Sequence, residues 1–520
     1  MQKFFLKSCL VVAPLLLSSQ SYAQSDNYMA SPIVTVGGFV HSNAGFRSED
    51  GDFKNERLPD AAMTGTPKAV DNDTGSHNRM TNNPDFTNEG EIHIKVAGIN
   101  ELGMKYGAIV ELEANVSTAA RNEGVNADKA FVFTESRIGK LELGNNSAAN
   151  HRMKVGPETF ARGAGGINGK YLEYINMPML ANSSQLPAGA TAVCTGGIKA
   201  DDQGALQGSN ACDKVKLPRF ILIPQAPIAH GGYAKGFYNR ATDNDYKTSA
   251  NVTNSDDDYG FNKNKTSSQV RDGSFGDLED ASKISYYTPR IAGWQLGASF
   301  TPDTGTNGTS ATISGDNSGD IKQAIAYGVN YSDSFGNLGV AVSATGENGK
   351  FEQISSSTTK RENLKAYDIG VMLTYAGATI GGSYGNWGSS LQPKTGIYSC
   401  DYNDKKAFTD QDCAGANAGQ KFSDSIYYTA GAAYQFGPFA ASITYLNSNF
   451  QENQYSAGSF GIDYKMAKGL MPYLEVTKFK FESNQPKSSD LVDQSQIANS
   501  DRQLKDNQGY VVLAGLLFSF

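Results

Sequence analysis

The residues of this 520-residue chain best suited to chemistry are five histidines, five cysteines and a few glycine-rich or acidic runs. Histidines stand at positions 41, 77, 93, 151 and 230, and no HExxH or other metal-ligand spacing links them. Gly381-Gly382-Ser383-Tyr384-Gly385 fits the nucleophile string of serine hydrolases. That string works only between a strand and a helix. Here it lies inside an alternating segment with no helical pattern after it, so it reads as small residues on a strand. Gly163 to Lys170, GAGGINGK, approaches a phosphate loop, but Ala164 holds the first glycine position and Tyr171 replaces the Ser/Thr. It reads as a loop whose backbone N–H groups are available to anionic solutes. Asp256-Asp257-Asp258 has the chemistry of a divalent-cation ligand; a solvated loop is the simpler reading. No Ser/His/acid set is brought together by the pattern, so neither an enzyme nor a cofactor is expected.

Cys9 sits in the N-terminal apolar stretch. The other four cysteines allow three connectivities. Nearness in sequence favours Cys194–Cys212 and Cys400–Cys413, each within a polar Gly/Asn/Asp-rich segment, as staples in long loops.

A second set of polar residues is defined by alternation. Glu91, His93 and Lys95 interleave with Ile92, Ile94 and Val96. Lys105, Glu111 and Glu113 interleave with Tyr106, Ala108, Val110 and Leu112, and Asp368 lies between Tyr367 and Ile369. Charges regularly opposed to apolar residues read as the lining of a polar interior, with the apolar face turned to lipid. His93, Lys95, Lys105, Glu111, Glu113 and Asp368 are therefore candidate wall residues of a pore.

The elements that position them are strands. Segments of alternating hydrophobicity, roughly ten residues each, recur along the chain. They run from Ile33–Phe46 and Glu91–Ile99 to Leu470–Phe481 and the C-terminal GYVVLAGLLFSF. About sixteen such segments are predicted, separated alternately by short turns and long polar stretches. Leu470–Phe481 is the least regular, because Pro472, Lys478 and Lys480 interrupt one face. Residues 145–280 carry almost no pattern and read as one long loop region. An even strand number with short turns on one side and long loops on the other describes an antiparallel transmembrane β-barrel, and sixteen strands leave an aqueous channel.

Met1–Ala23 has the form of a secretory signal: Lys3 and Lys7, a short apolar core, and Ser21-Tyr22-Ala23 before the cut. Residues 24–520 would then form the barrel domain. The formal net charge of −8 argues against nucleic-acid binding. No stretch approaches the roughly 18 apolar residues of a spanning helix.

The stretches NEGEIHIKVAGINELGMKYGAIVELEANV and DKAFVFTESRIGKLELGNN resemble the early strands of Gram-negative trimeric general porins, and DASKISYYTPRIAGWQLGASFTPDT resembles a mid-barrel hairpin of alphaproteobacterial porins. The terminal strand ending on Phe520 is similar to the assembly signal of outer-membrane barrels. The resemblance implies a sixteen-stranded homotrimer in the outer membrane of a Gram-negative bacterium, surrounded by lipid and passing small hydrophilic solutes and ions. It also implies a third outer loop, starting near Asn145, that folds inward to narrow the pore. The constriction would carry His151, Arg152, Lys154, Glu158, Arg162 and Lys170. Family eyelets set acidic loop residues against a basic wall, and this loop is instead predominantly basic. Its continuation, with Cys194, Cys212 and Asp256–Asp258, is expected outside as a cap. The competing reading is a surface adhesin or structural barrel acting through its loops.

Overall fold

The computed structural model describes residues 32–49, 84–114, 126–175, 199–200, 206–207, 220–224, 281–304, 321–351, 362–390, 424–450, 453–482 and 507–520. Sixteen strands form one closed antiparallel barrel. They are β1 (Ile33–Glu49), β2 (Asp85–Ile99), β3 (Lys105–Glu113), β4 (Asn126–Ser136) and β5 (Gly139–Asn145). After a long connection come β6 (Ser282–Tyr287), β7 (Trp294–Asp303), β8 (Ile321–Phe335), β9 (Leu338–Phe351), β10 (Leu364–Tyr375) and β11 (Ala378–Gly388). The circuit ends with β12 (Ser425–Phe436), β13 (Phe439–Phe450), β14 (Asn453–Tyr464), β15 (Leu470–Glu482) and β16 (Asn507–Ser519). Each strand pairs with its sequence neighbours, and β16 closes onto β1 from Phe39↔Ser519 to Glu49↔Gly509. Closure gives every strand a hydrogen-bonding neighbour on both sides, which is what allows a sheet to stand in hydrocarbon.

The period of two decides which side chains meet lipid. On β16, Tyr510, Leu516 and Phe518 are exposed outward, whereas Val511 and Leu513 are buried inside. β1, glycine-rich and ambiguous in sequence, resolves the same way: His41, Asn43, Arg47 and Glu49 are buried inside, and Val40 and Phe46 face out. Outward aliphatics such as Ile443 (61% exposed) and Leu296 (55%) form an apolar band. Aromatic rings bound it on both sides. Near the short turns, Tyr434, Phe436, Phe439 and Tyr464 are linked by successive stacked contacts of 4.6–6.1 Å between centroids. Toward the long loops, Tyr428–Tyr445, Tyr367–Tyr384 and Phe46–Tyr510 pair at 6.4 Å. Two such girdles mark the two interfaces of a membrane. The short turns are tight: Ala376 and Gly377, both at positive φ (48° and 86°), make a two-residue hairpin between β10 and β11.

Two expectations need correction. Part of the stretch read as patternless is ordered and carries helical turns: α1 (Ala149–Met153) and 3-10 turns at Gly166–Asn168 and Lys170–Glu173. At three to five residues they are too short to show a helical period. The barrel interior is also not uniformly polar. Ile167, Tyr171, Ile175, Phe220, Ile221 and Leu222 pack against inward Trp387, Tyr427, Phe450, Tyr455, Phe479 and Phe481 in one buried apolar cluster. Phe479 and Phe481 alternate with Lys478 and Lys480, so the lysines that interrupt β15 lie on its outer face, with Lys478 opposite Tyr510 at the upper girdle. There a lysine reaches the headgroup layer along its own apolar stem. Residues 1–23, the four downstream cysteines and Asp256–Asp258 lie outside the described residues.

Candidate functional site

Residues 146–175, following β5, run along the inside of the barrel wall. Their route is drawn by contacts in strand order. Ala149 N–H donates to Ser299 on β7 (2.9 Å), and Asn330 on β8 donates to the Met153 carbonyl (3.2 Å). Val155 N–H donates to Ser343 on β9 (2.9 Å), and Ser383 on β11 donates to Glu158 (2.6 Å). Past β14 and β15, the Tyr174 hydroxyl donates to Asn43 on β1 (2.7 Å). Arg47 on β1 donates to the Tyr174 carbonyl (3.1 Å).

Lumen-facing glycines make room for this path. A Cβ on Gly370 of β10 would collide with the Val155 carbonyl oxygen. One on Gly431 of β12 would lie 2.7 Å from Pro157, and one on Gly461 of β14 would lie 2.7 Å from Ala161. The loop backbone therefore sits against the strand backbone, closer than any side chain permits.

Charges hold it there. Arg152 pairs with Glu142 of β5, and Lys170 with Glu89 of β2. Lys154 contacts Glu158 at 2.7 Å and Asp368 of β10 at 4.0 Å. Arg162 reaches Asp463 of β14 at 3.3 Å through its side chain and donates its backbone N–H to the same carboxylate at 3.1 Å. Gly163 N–H donates to the other Asp463 oxygen (3.1 Å). Ala164 and Gly166 donate to the two oxygens of Glu475 on β15, at 2.5 and 3.1 Å. The glycine-rich stretch GAGGINGK is thus an anion-binding nest, as its backbone suggested. The anions it holds are two carboxylates of the barrel wall rather than a solute. Gly165 and Gly166, at φ 94° and 61°, supply the left-handed backbone that the nest requires. Farther on, Tyr171 shares a hydrogen bond with Tyr455 (2.6 Å), and burial pushes its phenol well above the usual range, so it remains a neutral donor.

The six loop residues singled out from sequence do not form one cluster. Arg152, Arg162 and Lys170 meet three different strands, and their side chains are 32%, 28% and 20% exposed. Lys154 and Glu158 are each 10% exposed. His151 is half-buried in the middle of α1. Of the candidate wall residues, Lys105 and Glu113 are exposed, and His93, Lys95 and Glu111 are partly exposed. They lie on β2 and β3, where His93 faces Glu111 across the ladder and Glu91 faces Glu113. Asp368 is fully buried behind the loop, where it accepts a hydrogen bond from Tyr427 (2.5 Å). Ser383, the serine of the hydrolase-like string, bonds Glu158 and Thr429. Sequence reading missed the anchoring partners Glu89, Glu142 and Glu475 and the weight carried by Asp463. Their one visible signal is an acid on the polar phase of an alternating strand.

A closed antiparallel barrel with an apolar band between two aromatic girdles is a transmembrane β-barrel of the outer membrane. The chain belongs to the Gram-negative porin family, whose model matches residues 9–192 and 233–484. An uncharacterized protein of Rickettsia typhi is 28% identical over 246 residues, covering 39% of this chain and 51% of that protein. One of Rickettsia bellii is 24% identical over 393 residues, covering 68% and 69%. The chain spans about half the length of the first of these relatives. Among solved structures, the anion-selective porin from Comamonas acidovorans is 12% identical with a TM-score of 0.47, covering 94% of this chain and 100% of that one. A tryptophan-substituted mutant of the Rh. blastica porin is 10% identical with a TM-score of 0.42, with the same coverage.

Proposed function

We propose that the protein is a channel for passive diffusion of small hydrophilic solutes and ions across the outer membrane. The observation that carries this reading is the inward loop. It is anchored on strands from β5 round through β15 to β1 and Glu89 of β2, while the lysines and glutamates farther along β2 and β3 stay at least partly exposed on the interior. A solute then passes between the loop and that wall. Width and lining charge set selectivity. Arg152, Arg162 and Lys170 stay partly exposed toward the passage while their carboxylate partners tie them to the wall, and Lys154, Glu158 and Asp368 lie deeper and serve only to hold the loop in place. No step needs a cofactor or a covalent intermediate.

We also propose a homotrimer, joined through the outer face of β1 and β2. Ser42 and Asn88 both point outward in the apolar band and hydrogen-bond each other at 2.5 Å. A polar pair at that height is costly against lipid and fits a protein neighbour.

Swelling of liposomes containing refolded protein, in sugars of graded size, tests the channel. Swelling in small sugars that declines with solute mass supports it. Liposomes that do not swell while the protein is demonstrably folded contradict it and favour an adhesin or structural barrel.

A further inference from the structure

We propose that the lumenal face of β2 and β3 is a binding site for a divalent transition-metal cation of the zinc class, with Glu91, His93 and Glu111 as ligands. The ladder builds it. Glu91 and His93 are two apart on β2 and so share the inner face. Glu111 lies directly across from His93 on β3. One donor atom from each of the three lies within 4.8 Å of the other two. Zinc bonds imidazole nitrogen and carboxylate oxygen at roughly 2.0–2.2 Å, so small side-chain rotations bring all three onto one ion. The fourth position then faces the lumen and is filled by water, which gives the ion an entry path.

Two features favour a cation here. His93 is already aimed: its Nε2 bonds the Glu91 carboxylate at 2.9 Å, which orients the imidazole toward the acids. Glu113, opposite Glu91, and Asp128 add negative charge, and the basic group beside them is Lys129. Lys129 Nζ contacts Glu111 at 2.9 Å and Asp128 at 3.0 Å. A divalent ion would take the Glu111 side of this bridge and leave the ammonium on Asp128. Imidazole must be neutral to ligate, so affinity falls on acidification.

The site does not depend on the channel reading, because binding is measured without conductance. The experiment is calorimetric titration of refolded, oxidised full-length protein with zinc chloride, beside the variants His93→Gln, Glu111→Gln and Lys129→Met. Folding of each variant is checked by the heat-dependent gel shift of an intact barrel. The expected result is one saturable zinc per chain, weakened at least tenfold by His93→Gln and by Glu111→Gln, and unchanged or tightened by Lys129→Met. No saturable binding, or binding that His93→Gln leaves intact, overturns the assignment; the latter places the zinc on other donors.

Discussion

Asp463 gathers three donors of the inward loop on one carboxylate. Its side chain, 1% exposed, receives the Arg162 backbone, the Arg162 guanidinium and the Gly163 backbone. Asn at this position keeps the shape but loses the charge and one acceptor, leaving donors unpaired. The guanidinium is still partly solvated, so the cost is mainly that of buried backbone donors left unpaired, about 1–3 kcal/mol. Asp463→Asn is therefore expected to release the loop locally and raise trypsin cleavage after Arg162 by up to about a hundredfold, since proteolysis follows the open population. Cleavage at the wild-type rate would show that the anchor lies elsewhere. Arg152 and Arg162 act differently, because their guanidinium groups are about one-third exposed and their carboxylate partners are covered. Arg162→Glu is expected to move the reversal potential in a salt gradient toward cation preference. An unchanged potential places Arg162 away from the permeation path.

The strands were legible in sequence and the loop was not, for separate physical reasons. Sidedness of β3, β10 and β16 follows from alternation alone, because lipid demands apolar residues on every second position. On β15 the pattern fails, because Phe479 and Phe481 are apolar on the inner face and Lys478 and Lys480 are basic on the outer one. The apolar pair is explained only by Phe220 and Tyr455 packing against Phe481 at 4.9 and 4.7 Å. Residue 220 is more than two hundred positions from its partner, and no local period can reveal it. The loop's seat is equally non-local. Gly370 looks like any small residue of a strand until Val155 is found against it. Gly370→Ala places a methyl group into that carbonyl, so the loop must shift. Overpacking of this kind costs about 1–3 kcal/mol. The expected outcome is a lower thermal midpoint with altered open-channel current, whereas Gly458→Ala, where an added Cβ meets only ordinary contacts at 3.9 Å, leaves the current alone. Equal behaviour of the two variants would contradict the close seat of the loop.

At the scale of the whole molecule, the barrel is a container with one side filled. The apolar cluster around residues 164–175 and 220–223 joins the loop to β8–β16 as a protein core. The opposite inner face, on β2 and β3, keeps its charges partly exposed. The family resemblance predicted an inward loop with acids set against a basic wall, and the basic residues between 151 and 170 already departed from that pattern. Here the loop contributes cations and backbone donors, and the wall contributes the acids Glu142, Asp463 and Glu475. The pairings with Asp463 and Glu475 join residues about three hundred positions apart, so charge counting along the loop could suggest its sign but not its anchors. A lumen bounded by a fixed loop and an open charged wall should be permanently conducting. Single-channel recording in planar bilayers is the most direct test. Refolded protein is predicted to give long-lived unitary openings with little voltage gating, in groups of three if the trimer forms. Folded protein that inserts and carries no current would contradict the channel.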